Sequence, residues 1–88
     1  MGEAWAFNID DGFGGDLVAL PEADRERVKG YLRALVADPV SAKNIRKLPF
    51  PFNGRVFAAS FGDILIRYER DDGARIIVFL RLFKQWET

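Results

Sequence analysis

The sequence predicts an α+β fold in which an N-terminal strand and a helix, or a helical hairpin, pack on an antiparallel β-meander. Three observations predict it. Residues 21–37 carry one apolar stripe at helical spacing between a proline start and an Asp-Pro stop. The C-terminal third holds three β-type runs separated by the short polar breaks Gly62-Asp63 and Asp71-Asp72-Gly73. With 88 residues, 49% of them hydrophobic, eight Phe and two Trp, the chain has material for one core without a metal or disulfide staple. One domain over residues 1–88 is expected.

Taken in order, residues 4–9, AWAFNI, alternate and are aromatic-rich, as a first strand requires. The glycine-punctuated DDGFGG follows, and residues 13–20 read as a short helix or an irregular connection. From Pro21 to Ala37 a helix is expected: Glu22 and Asp24 complement its dipole, and Val28, Tyr31, Leu32, Leu35 and Val36 form its apolar stripe. Gly30 within it costs stability and suggests close packing. Residues 40–54, with two prolines and an Asn-Gly, read as a connection, with a helical turn expected near Ala42–Lys47. The three strands are then Arg55–Phe61, Ile64–Glu69 and Arg75–Phe83, with Ile66 and Val78 expected in the core.

The chemistry available is narrow. There is no Cys and no His, which removes thiol nucleophiles, imidazole bases, disulfides and the usual zinc ligands, so no metal or other cofactor is expected. No apolar run is long enough for a membrane span and no signal peptide is read, so a cytoplasmic protein with no membrane partner is expected. The net charge is zero but unevenly spread, since residues 1–24 hold six acidic and no basic side chains and all 13 basic residues follow. A basic surface for an anionic partner is one reading of this asymmetry; charges scattered over a solvated surface are the other.

The order of elements and several local patterns resemble the RelE/ParE superfamily of type II toxins. The resemblance rests on LPEADRERVKGYLRALVADP from Leu20, IRKLP from Ile45, SFGDILIRYE from Ser60 and RIIVFLRLFKQ from Arg75, and runs from about Trp5 to Gln85. It implies a toxin neutralised by a cognate antitoxin protein. It also implies action on the ribosome and its messenger RNA, through metal-independent endoribonuclease cleavage and so translation inhibition, or a ParE-like action on DNA gyrase. RelE-like RNases use arginines and lysines to orient the ribose 2′-hydroxyl and meet transition-state charge.

By that resemblance Arg67, Arg81 and Lys84 are the candidate catalytic residues, and Lys43, Arg46, Lys47 and Arg55 the candidate nucleic-acid contacts. Arg67 and Leu65 alternate with Ile64, Ile66 and Tyr68, so helices covering the latter face would leave Arg67 on an open one. Its other reading is a charge that solubilises an exposed sheet face. Ala58, Ser60, Leu65 and Gln85 stand where the family commonly has basic residues, and the tyrosine of many RelE-like C-terminal tails has no counterpart before Thr88. Binding without cleavage is therefore the alternative function. Phe50, Phe52, Phe79 and Phe83 read as core or antitoxin-covered rather than base-stacking, and Tyr31 and Tyr68 lie on apolar stripes, which suits neither as a general acid.

Overall fold

A computed structural model of the chain describes residues 5–40, 44–48 and 54–84. The elements run β1 (Ala6–Ile9), α1 (Asp11–Val18), α2 (Glu22–Ala37), β2 (Ile45–Lys47), β3 (Val56–Phe61), β4 (Ile64–Asp71) and β5 (Ile76–Lys84). They form one sheet of order β1-β5-β4-β3-β2 with both helices on one face. The last three strands make the expected antiparallel meander, and β1 adds to β5 in parallel, so the sheet is mixed.

The uncertain segment after β1 is a helix. Asp10 caps α1 by accepting from the Gly12 N–H at 3.1 Å. Gly12, Gly14 and Gly15 each disfavour a helix by roughly 1 kcal/mol relative to Ala, and burial of Phe13 against Phe79, with ring centroids 5.6 Å apart, offsets part of that. Helix α2 starts after Pro21 and buries Val28, Leu32 and Leu35, with Tyr31 and Val36 half-buried beside them. Gly30 is exposed, and a Cβ there would meet no atom within 4 Å, so it serves no close packing.

Four expectations are corrected. The helical turn near Ala42–Lys47 is instead strand β2 over Ile45–Lys47; residues 42 and 43 lie outside the described ones. The physical reason is the free edge of β3, which gives the short segment ladder hydrogen bonds from Ile45↔Ala59 to Lys47↔Phe57, extended by Ser60 N–H to Asn44 O at 3.1 Å. Val78 is half-buried, whereas Ile66 is fully buried as expected. A register shift opposite Arg67/Tyr68 aligns Tyr68 with Phe79, which turns Ile77 and Phe79 toward the helices and Val78 away from them. Strand β4 also runs two residues further than read, to Asp71. Arg75, expected to open β5, lies in the preceding turn with φ 57°, a left-handed conformation that costs a non-glycine residue about 1 kcal/mol or more.

The core lies between the helices and one sheet face. Phe13, Val28, Leu35, Ala59, Ile64, Ile66, Tyr68, Ile77 and Phe79 meet there with at most 1% exposure. Tyr68 is the largest of them; its hydroxyl donates to Pro39 O at 3.4 Å, and burial pushes the phenol up to about 12. Among the described residues no helix is long and apolar enough to cross a membrane.

Candidate nucleic-acid interface

The face of the sheet away from the helices carries a line of arginines. Directly paired residues in a ladder project to the same face. Ile64, Ile66 and Tyr68 point into the core, so Arg67 projects outward, as the alternation requires. Its Cα partner across β5 is Arg81, and across β3 it is Ala58, whose own partner on β2 is Arg46. Arg46, Ala58, Arg67 and Arg81 thus form one row over four strands. At strand spacings near 4.8 Å, Arg46 and Arg67 are about 10 Å apart with the small Ala58 between them. Phe83 lies in the same face; the Arg67 guanidinium sits 5.1 Å from its ring centroid and that of Arg81 5.7 Å.

Arg81 is not a bare cation. Its Nε and Nη2 donate to the Asp16 carboxylate at 2.8 and 3.1 Å in a bidentate fork. The same carboxylate accepts the Leu82 backbone N–H at 2.9 Å. That N–H lies beyond the end of β1, where β5 has lost its parallel neighbour, so Asp16 of α1 satisfies an edge donor the sheet leaves open. The hydrogen bond from Arg81 is the main reason the Asp16 carboxyl lies below its ordinary value, and the carboxylate in turn raises Arg81.

Lys84 sits apart from this row. It faces the helices, where its ammonium donates to Asp24 at 2.7 Å and lies 4.0 Å from Asp63. Arg27 closes the group, bonded to Asp24 at 3.0 Å and to Asp63 at 2.7 Å. Asp24 is the buried carboxylate of helix α2, so this network ties the end of β5 and the β3–β4 turn to that helix. Lys84 is therefore held on the opposite face from Arg67 and Arg81.

The loop cluster divides as well. Lys43 lies outside the described residues. Arg46 joins the open face, whereas Lys47 and Arg55 line a polar cleft of about 320 Å³ with Phe57 and Arg70. Sequence reasoning passed over Arg70, whose guanidinium stacks 4.1 Å from the Phe57 centroid, donates to Pro39 O at 2.9 Å and pairs with Asp72 at 2.6 Å. It also passed over Asp16 and Gly12. Asp16 and Arg81 are 65 residues apart, and no local pattern marks the pair. Among the described residues no cluster of three or more carboxylates is arranged to hold a metal ion.

On the helix side, between the outer strand β1 and α2, runs an apolar groove of about 500 Å³ lined by Phe7, Ile9, Leu17, Leu32 and Val36, with Lys29 and Arg33 at its rim. Phe7 and Ile9 are 49% and 45% exposed there. Lys29 is paired with Glu26 at 3.0 Å.

No protein-family model and no curated protein matches the sequence. Solved structures do. A chain of the RelBE2 toxin–antitoxin complex from Mycobacterium tuberculosis superposes with a TM-score of 0.83 at 20% identity, covering 94% of this chain and 100% of that one. A chain of the archaeal RelE–RelB complex from Pyrococcus horikoshii gives 0.79 at 21% identity over 98% and 100%. The isolated E. coli RelE toxin gives 0.76 at 14% identity over 97% and 88%. Two helices on a five-stranded mixed sheet, matched end to end at that level, give this chain the fold of the RelE toxins.

Proposed function

We propose that this chain is the toxin of a type II toxin–antitoxin pair and restrains translation in the cytoplasm by acting on ribosome-associated messenger RNA. The observation that carries the reading is the full-length likeness to chains of RelE–RelB complexes. Two features of the surface support it. The arginine row across the open face suits a phosphate backbone, since guanidinium groups bind phosphate oxygens through charge-assisted bonds. The apolar groove beside the free edge of β1 suits an amphipathic antitoxin segment, whose carboxylates would meet Arg33 while its apolar side chains cover Phe7 and Ile9.

For cleavage, Arg67 and Arg81 would supply the positive charge that a pentacoordinate phosphoryl intermediate requires, in the absence of any His or Cys. A second reading, a binding module that engages RNA and antitoxin without cutting, is favoured by one observation: the candidate catalytic cations Arg81 and Lys84 are already paired with Asp16 and Asp24. Inducible expression separates the two, with growth followed and messenger RNA mapped for new 5′ ends. Arrest with new ends that are lost in Arg67→Ala supports cleavage. Arrest with intact messenger RNA sinks it and moves the target to gyrase, and no arrest at all supports the binding module. Copurification with the product of an adjacent short reading frame tests the antitoxin, and failure to copurify at low and moderate salt overturns that part.

A further inference from the structure

Asp16 holds Arg81 of the arginine row through a fork that leaves donors of the guanidinium over. The fork through Nε and Nη2 consumes one side of the Arg81 guanidinium, and Nη1 makes no hydrogen bond among the described residues. Asp16 is itself well fixed, because the Leu82 N–H holds the same oxygen that accepts from Arg81 Nε. The arginine stem packs closely on α1 too: a Cβ at Gly12 would lie 3.1 Å from Arg81 Cδ, a tight contact that the missing side chain avoids.

We propose that Asp16, with Gly12, positions Arg81 so that Nη1 is presented at the rim of the open face for an RNA phosphate. This rests on the reading of that face as an RNA surface. An unrestrained arginine samples many rotamers, and ordering one rotamer-rich side chain on binding costs affinity that a preformed pose avoids. Asp16 acts through Arg81 and touches no substrate; it is a positioning residue. The idea has a sign that simple electrostatics does not share. Removing an acidic charge beside a phosphate site strengthens binding if only charge matters, whereas removing a positioning group weakens it.

The test is fluorescence anisotropy of a labelled single-stranded RNA oligonucleotide with wild type, Asp16→Asn, Gly12→Ala and Arg81→Ala, over a salt series. Asp16→Asn should weaken binding by about three- to tenfold, and its salt slope should fall by about 0.7, one phosphate contact on a single strand. In an Arg81→Ala background the Asp16→Asn change should do nothing. Gly12→Ala, whose backbone needs no left-handed conformation, should weaken binding in the same direction; because its methyl would also stand 3.3 Å from Asp10 Oδ2 and 3.4 Å from Leu80 O, thermal unfolding is followed alongside. Tighter binding by Asp16→Asn, or equal effects with and without Arg81, overturns the proposal. The Arg81 Nε–Hε resonance of the free protein gives a second readout: it should be sharp in wild type and broadened by solvent exchange in Asp16→Asn. A resonance unaffected by Asp16→Asn overturns the positioning whatever the RNA does. If the resonance behaves as expected but wild type binds no RNA, the RNA surface is refuted and the phosphate role with it.

Discussion

Replacing Ile66 by alanine probes the packing that sends Arg67 outward. Ile66 has no exposed surface and lies among Ala59, Tyr68 and the α2 stripe. The substitution deletes three carbons, worth about 2.4 kcal/mol at about 0.8 kcal/mol for each buried methylene. If the site collapses only by half, a residual cavity of about 40 Å³ adds about 1 kcal/mol at roughly 24 cal/mol per Å³. The expected loss is therefore about 3.4 kcal/mol, a large fraction of the roughly 5–15 kcal/mol available to a domain of this kind. Urea unfolding by circular dichroism measures it, with the m-value held as a check on the unfolded state, and at about 4–8 °C per kcal/mol the midpoint of thermal unfolding should drop by roughly 14–27 °C. Arg67→Ala, one residue along and on the other face, should shift that midpoint far less. A loss below about 1 kcal/mol for Ile66→Ala, or a larger loss for Arg67→Ala, would refute the assignment of faces on which the arginine row depends.

Gly30→Ala should stabilise the protein by about 0.5–1 kcal/mol, because the position is helical, exposed and open to a methyl group; an unchanged urea midpoint would count against it. Lys84→Ala should cost about 1–2 kcal/mol in the same assay through the partly buried Asp24, which keeps Arg27. It should leave RNA affinity nearly unchanged, and a tenfold loss of affinity would return Lys84 to the RNA surface. Tyr68 should ionise at about 12, seen by ultraviolet absorbance. Because the unfolded phenol ionises near 10 while the folded one does not, stability should be full below pH 10 and fall between about 10 and 12; in Tyr68→Phe that part of the alkaline loss should vanish.

The meander and helix α2 were legible because their signals are local: periodicity over Val28–Val36, polar breaks at Gly62-Asp63 and Asp71–Gly73, and alternation through Ile64–Tyr68. Strand β2 was not, since three residues beside prolines carry little pattern and owe their conformation to the edge of β3. Arg67 and Arg46 could be proposed from alternation and charge, but their alignment through Ala58 is a matter of register, which composition does not encode. Lys84 looked like Arg81 in sequence, a cation near the end of a basic strand. Its side of the sheet was set by the register shift after Arg67, and its partner Asp24 lies 60 residues away. The Asp16–Arg81 fork was hidden for the same reason.

The parallel pairing of β1 with β5 ties the first strand among the described residues to the last. As residues emerge in order during synthesis, β1 and both helices precede the strands that cover them, and Phe13, Val28 and Leu35 have no sheet to pack on until β4 and β5 arrive. Such non-local closure places folding late and makes it slow relative to helical domains of the same length. The row Arg46, Arg67 and Arg81 spans strands that are joined only then, so the basic face does not exist on a growing chain. The groove between β1 and α2 likewise acquires its floor only once β5 has aligned Phe7 and Ile9. Under the proposed function, the surface that acts and the surface that is restrained therefore come into being in one event, when β5 joins the sheet.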